Sequence, residues 1–229
     1  MGILEDALHK MQQLASESDI GLVGYSGGKD SLVVLDLACR VFKQVKAYHF
    51  YFVPGLAHIE RQLDFARERF GVEIAQYPHF TMVDALRAGV YRDAVKDLPR
   101  YTVDDAYAAA MQDAGVDFVM TGARSADSSW RRRSMGANRG KRDHVVFPIQ
   151  GWHKYDVLGY LKMRNIPIPV SSGASATGID MSAKSLNWLH DVYPDDFQKL
   201  LEYFPYAEAA IWRERFYGTS TCGQPAIPH

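Results

Sequence analysis

The residues best suited to chemistry form one six-residue run, Ser26-Gly27-Gly28-Lys29-Asp30-Ser31. Two adjacent glycines allow tight or left-handed backbone, and without Cβ atoms successive N–H groups can converge on an anion. The helix expected to start beside them adds the partial positive charge of its N-terminus. Lys29 adds a full charge, and Ser26 and Ser31 add hydroxyl donors. The run reads as a phosphate cradle. It is not a Walker loop, because the required first glycine falls on Val23 and Asp30 stands where a Ser or Thr would hold magnesium. Nor is it a dinucleotide fingerprint, since Gly24, Gly27 and Gly28 have the wrong spacing.

A second concentration of chemistry follows Thr121-Gly122-Ala123. Between Arg124 and Arg142 lie seven basic residues (Arg124, Arg131, Arg132, Arg133, Arg139, Lys141 and Arg142) and one acid, Asp127. Guanidinium forks match phosphate and sulfate oxygens, so this segment is a candidate anion site, with Arg124 its leading member. Across all 229 residues 26 Lys+Arg face 27 Asp+Glu, a formal net charge of −1, which argues against nucleic-acid binding by bulk charge.

Two cysteines, Cys39 and Cys222, narrow the mechanism. They exclude a four-cysteine zinc site or iron–sulfur cluster within one chain, and no metal site is expected. Cys39 falls on the apolar side of the first helix after the glycine loop and reads as core. Cys222 lies in Thr219-Ser220-Thr221-Cys222-Gly223, after Arg215-Phe216-Tyr217-Gly218. A thiolate near arginines has a lowered pKa and is a nucleophile.

The elements that must position these groups alternate. Strands are predicted at 20–25, 45–52, 72–77 and 118–121, with a fifth at 145–149. Helices are predicted at 31–42, 56–70, 103–114, 154–164 and 183–204, with further helix up to 216. The expected fold is therefore α/β: a doubly wound, mainly parallel sheet with helices on both faces, and a helical C-terminal region ending in a flexible tail. Residues 1–180 would form the nucleotide-binding unit and 181–229 its helical extension. Ligands of such sheets bind beyond the carboxyl ends of the strands, where the glycine loop and the Thr121–Arg124 turn both fall. No apolar run approaches a membrane span, and Met1–Asp6 carries acids where a signal peptide needs basic residues, so a cytoplasmic protein without membrane contact is expected.

The glycine loop resembles the pyrophosphate-binding Ser-Gly-Gly-Lys-Asp-Ser loop of the adenine-nucleotide α-hydrolase-like superfamily. Three further segments resemble its phosphoadenosine phosphosulfate (PAPS) reductase family: Thr121–Ser128, Phe147–Val157 with Trp152 and Asp156, and the tail around Cys222. Departures accompany the match. Thr221 replaces an acid in the tail, Gln224-Pro225 replaces its usual ending, and Val53-Pro54-Gly55 stands where an Asp-Thr-Gly turn is common. His49, Phe50 and Tyr51, on the strand before that turn, are either core residues or contacts to the adenine.

The resemblance implies an adenine nucleotide held by residues 26–31, Gly122 and Arg124, with Arg131, Arg132, Arg133 and Arg215 as candidates for the substrate anion. Its first implied reaction is thiol-dependent reduction of PAPS to sulfite through Cys222. That needs no tightly bound cofactor, takes electrons from thioredoxin or glutaredoxin, and is compatible with a homodimer. The alternative is adenylyl transfer from ATP with Mg2+, in which Lys29 stabilises a leaving pyrophosphate and a small molecule, tRNA or DNA base is activated. A non-catalytic module binding nucleotide or nucleic acid, with Trp130 available for stacking, is a third reading.

Overall fold

Side chains that alternate across β1 (Ile20–Gly24) define a sheet buried on both faces. Val23 joins one apolar cluster and Leu22 the other, and in β2 (Gln44–Tyr51) Ala47 and Tyr48 divide the same way. The computed structural model describes residues 2–129, 133, 144–168 and 181–217. β3 (Glu73–Pro78), β4 (Val119–Met120) and β5 (Val145–Val146) complete a five-stranded sheet of order β3-β2-β1-β4-β5. Every pairing is parallel. β1 sits where the strand order reverses, so the loops after β1 and β4 flank one crevice.

Among the described residues nine helices surround the sheet. α1 (Ile3–Ala15), α2 (Lys29–Cys39) and α3 (Ala57–Phe70) contribute to the larger cluster. α5 (Val103–Ala114) covers the opposite face through Ala110 and Ala114. α2 is buried continuously from Ser31 to Ala38, as expected of a helix apolar on all sides and enclosed by other elements. Its one buried acid, Asp36, is matched by the Tyr160 hydroxyl at 2.6 Å and Arg164 Nε at 2.9 Å. Tyr160 lies on α6 (Lys154–Met163), whose backbone N-cap is His153.

The structure corrects three features of the sequence reading. The helix expected over 183–204 is two helices, α7 (Ala183–Val192) and α8 (Pro194–Tyr203), broken at Tyr193 (φ −136°, ψ 68°). A residue preceding proline is driven from the helical region, so Pro194 ends one helix and begins the next. The fifth strand ends at Val146, because the chain turns at once and the Gln150 N–H donates to Phe147 O at 3.2 Å. Two helices had also been passed over. α1 buries Ala7 and Met11, and α4 (Phe80–Ala88) runs from an N-cap at His79 to Gly89 at φ +73°. Trp152 is buried and donates its indole N–H to Ile3 O at 3.1 Å.

The helical C-terminal region holds the turn between β2 and α3. Asp196 accepts the N–H groups of Ala57 and His58 at 2.6 and 2.9 Å, and its Oδ2 lies 2.7 Å from His58 Nδ1. Lys199 Nζ donates to Gly55 O at 2.6 Å. The last helix described is α9 (Glu208–Tyr217). No helix of the described residues is long and apolar enough to cross a membrane.

Candidate functional site

The glycine loop leaves β1 and enters α2 in two steps. Gly27 takes φ +75°, a left-handed conformation open to glycine at little cost, and Gly28 then serves as N-cap with φ −92° and ψ 162°. No side chain caps α2, so the first-turn N–H groups keep their capacity for an anion. The hydroxyls brace the loop from within: Ser31 Oγ donates to Gly28 O at 2.9 Å and accepts the Ser26 N–H at 3.3 Å. Lys29 Nζ lies 2.6 Å from Asp30 Oδ2, with its side chain 27% exposed and hence reachable by a ligand.

Across the crevice, the loop after β4 approaches so closely that a Cβ on Gly122 would lie 2.8 Å from Asp30 C and Ser31 N. Arg124 is buried in this contact. Its Nε is 2.9 Å from Asp30 Oδ1 and its Nη2 2.5 Å from Asp127 Oδ1, while its own N–H donates to Asp127 Oδ2 at 3.2 Å. The Asp30 contact is ionic in character, since among the described residues neither Arg124 Nε nor Asp30 Oδ1 has an aligned hydrogen bond. Ser125 N–H donates to Gln150 O at 2.9 Å and ties this loop to the turn after β5.

Between these loops opens a cleft of about 380 Å³. It is lined by residues 24–31 with Thr121, Gly122 and Ala123, and by the rings of Tyr48, His49, Phe50, His79 and Tyr107. Phe50 lies 5.9 Å from Tyr107 and meets His79 edge-on at 6.1 Å, both between ring centroids. Thr121 Oγ1 is buried without a hydrogen-bond partner among the described residues. Burial lowers the pKa values of His49 and His79, and for His79 the neighbouring His49 adds to the effect. A cleft that combines a glycine loop and a lysine with flat aromatic rings suits a phosphorylated aromatic ligand.

Residues 21–170 match the phosphoadenosine phosphosulfate reductase domain. This chain belongs to that family. A curated relative of this family member, sulfate adenylyltransferase subunit 2 of Burkholderia lata, is 26% identical over 191 aligned positions, and the match covers 71% of this chain and 64% of the relative. The family member thus spans less than two thirds of the relative's length. Among solved structures, the NH3-dependent NAD synthetase of Campylobacter jejuni, in complex with nitrate, superposes with a TM-score of 0.50 at 12% identity, covering 99% of this chain and 98% of that one. A phosphoadenylyl-sulfate reductase from Candida auris gives a TM-score of 0.44 at 15% identity, over 70% of this chain and 81% of that one. The NAD synthetase likeness is one of fold.

The structure gathers Ser26, Gly27, Gly28, Lys29, Asp30, Ser31 and Gly122 around the cleft. Arg124 lies behind them, its guanidinium turned to carboxylates. Arg215 is on α9, with Nη2 2.5 Å from Asp191 Oδ1 and Nε donating to Asn187 Oδ1 at 2.9 Å, and it does not border the cleft. Arg133 is exposed. Arg131, Arg132, Trp130 and Cys222 with its tail lie outside the described residues. Of the aromatic strand, His49 and Phe50 border the cleft, whereas Tyr51 packs against the larger core. Sequence reasoning missed Tyr48, His79 and Tyr107. His79 was within reach of it, being the residue just beyond a strand's carboxyl end.

Proposed function

We propose that this family member binds ATP in the cleft and transfers its adenylyl group. The observation that carries the reading is Lys29, seated on the first turn of α2 and lining the cleft. The loop N–H groups and Lys29 hold the β and γ phosphates. An acceptor oxygen attacks the α-phosphorus, a new P–O bond forms, the bond to the bridging oxygen breaks, and pyrophosphate leaves with its charge offset by Lys29 and the helix N-terminus. Magnesium enters as part of the nucleotide substrate. The curated relative's name supports this reading and adds sulfate to the acceptors worth testing. That relative is one subunit of its enzyme, so a partner subunit for this chain belongs to the same proposal. Residues 1–180 are the nucleotide-binding unit in this scheme and 181–229 its helical extension.

The family match favours a second reading, PAPS reduction. The Cys222 thiolate attacks the sulfonate sulfur, the sulfur–oxygen bond to the nucleotide phosphate breaks, and a thioredoxin-like dithiol reduces the resulting thiosulfonate. Sulfite leaves and the dithiol becomes a disulfide.

One experiment separates the two. The full chain is incubated with MgATP and sulfate, or with PAPS and reduced thioredoxin, scoring pyrophosphate and sulfite. Pyrophosphate release that falls at least about ten-fold in Lys29→Ala is expected. Sulfite release lost in Cys222→Ser, with no pyrophosphate from ATP, overturns adenylyl transfer in favour of reduction.

A further inference from the structure

Gly27 makes the left-handed turn of the glycine loop, at φ +75°, and is buried. Among the described residues no hydrogen bond to its N–H or carbonyl holds it in that conformation. Glycine loses more conformational freedom on ordering than any other residue, so a turn built from two of them stays fixed only where something packs on it. One side of the loop is the cleft, which has to stay open to a ligand. The cover on the other side comes from α3. There the carboxamide of Gln62 lies over Gly27, and its Oε1 fills the space that a Cβ on residue 27 would take.

α3 is itself held at this residue. The hydroxyl of Tyr25, two positions before the turn, donates to the Gln62 carbonyl oxygen at 3.2 Å. Asp196 accepts the N–H groups of Ala57 and His58 at the start of the same helix. The Gln62 side chain does not border the cleft, and its carboxamide has no hydrogen bond among the described residues. Its action on the loop is therefore by packing, not by contact with a ligand. We propose that Gln62 is a positioning residue for the phosphate cradle: packed over Gly27, it holds the left-handed turn in the conformation that presents the loop N–H groups to the ligand's phosphates. The proposal rests on the nucleotide reading above. Without the carboxamide the loop regains the freedom of its glycines, and a phosphate has to order it on binding. A ligand without phosphates meets no such cost.

The test is equilibrium binding of MgATP, PAPS, inorganic pyrophosphate and adenosine to the full chain, with thermal melting to follow the fold. Gln62→Ala keeps the backbone oxygen that Tyr25 uses and places the best helix former in α3, so the variant is expected to fold. Its affinity for pyrophosphate and for ATP should fall about ten-fold, while adenosine affinity stays at the wild-type value. Gln62→Met lays a long unbranched side chain over Gly27 again and should recover most of the lost affinity. Wild-type pyrophosphate affinity in Gln62→Ala overturns the proposal. So does an equal loss for adenosine and pyrophosphate, which would mark a general loosening of the fold. A Gln62→Met variant as weak as Gln62→Ala also overturns it, because the carboxamide would then act through its polar atoms. A wild type that binds none of ATP, PAPS and pyrophosphate overturns the nucleotide reading itself, and this role of Gln62 with it.

Discussion

The Arg124 guanidinium lies 2.9 Å from the Asp30 carboxylate and ties the loop after β4 to the first turn of α2. A residue whose type and place point to a substrate anion is thus occupied by two carboxylates of the protein, those of Asp30 and Asp127. Its role in this arrangement is to fix the spacing of the two loops between which the cleft opens. Removing it takes the guanidinium from Asp30 Oδ1 and from Asp127, with Lys29 on Asp30 Oδ2 as that carboxylate's remaining cation. Arg124→Ala is therefore expected to lose about 2 kcal/mol of stability, less than when a fully buried pair is broken. Adding Asp30→Asn should recover part of that loss. Urea unfolding of the wild type and the two variants measures it, and a wild-type midpoint for Arg124→Ala would contradict the bracing role.

Gly122 faces backbone across the crevice, and backbone cannot rotate aside as a side chain can. Gly122→Ala places a Cβ 2.8 Å from Asp30 C and Ser31 N. The loops must separate, at a cost of about 1–3 kcal/mol, and nucleotide affinity should fall with them. Gly159→Ala is the control: nothing lies within 4 Å of its added methyl, and α6 should gain up to about 1 kcal/mol. Thermal melts and a nucleotide titration of both variants check the contrast.

Stability should fall as pH drops below neutrality. Burial lowers the pKa values of His49, His58 and His79, with the hydrogen bond to Asp196 opposing it at His58. Each binds its proton less readily when folded, so the unfolded chain takes up more protons. The associated stability is fully present above the unfolded histidine pKa of about 6.5 and declines as pH falls through it toward the lower folded values. Urea midpoints at pH 7.5, 6.5 and 5.5 should descend, and His58→Gln should flatten part of the slope. A level profile would rule out the buried neutral histidines.

Cys39 should be inert in the native protein. Burial, aided by the negative charge of Asp36, pushes its thiol up to about 11. At pH 8 only about one molecule in a thousand carries the thiolate that reacts with iodoacetamide. Peptide mapping should find Cys39 alkylated rapidly only after unfolding in urea. Fast native labelling of Cys39 would refute its assignment to the core.

The helices show which features were legible and which were not. The α5 boundaries follow from Thr102 at the N-cap and Gly115 at φ +73°, both signals carried by adjacent residues. The apolar spacing of Leu4, Ala7, Leu8 and Met11 carries α1 in the same way, and a period-3.6 reading extended to the N-terminus finds it. The break at Tyr193 was likewise written in Pro194. The capping of α3 by Asp196 was not, because donor and acceptor are 139 residues apart and meet only through packing.

By itself, the sequence determined the parallel α/β architecture and the glycine turn of residues 26–31 at the start of a helix. Both depend on local properties, the periodicity of apolar residues and the freedom of two adjacent glycines beside a helix start. Only the tertiary structure decided what those residues face. The order β3-β2-β1-β4-β5 sets β4 beside β1, so Gly122 abuts Asp30 and Arg124 pairs with carboxylates. It also sets β2 on the other side of β1, so His49 is anchored on Tyr25 and Tyr107 joins an aromatic wall with Phe50. Burial and pairing are properties of neighbours in space, and strand order rather than chain order chooses those neighbours.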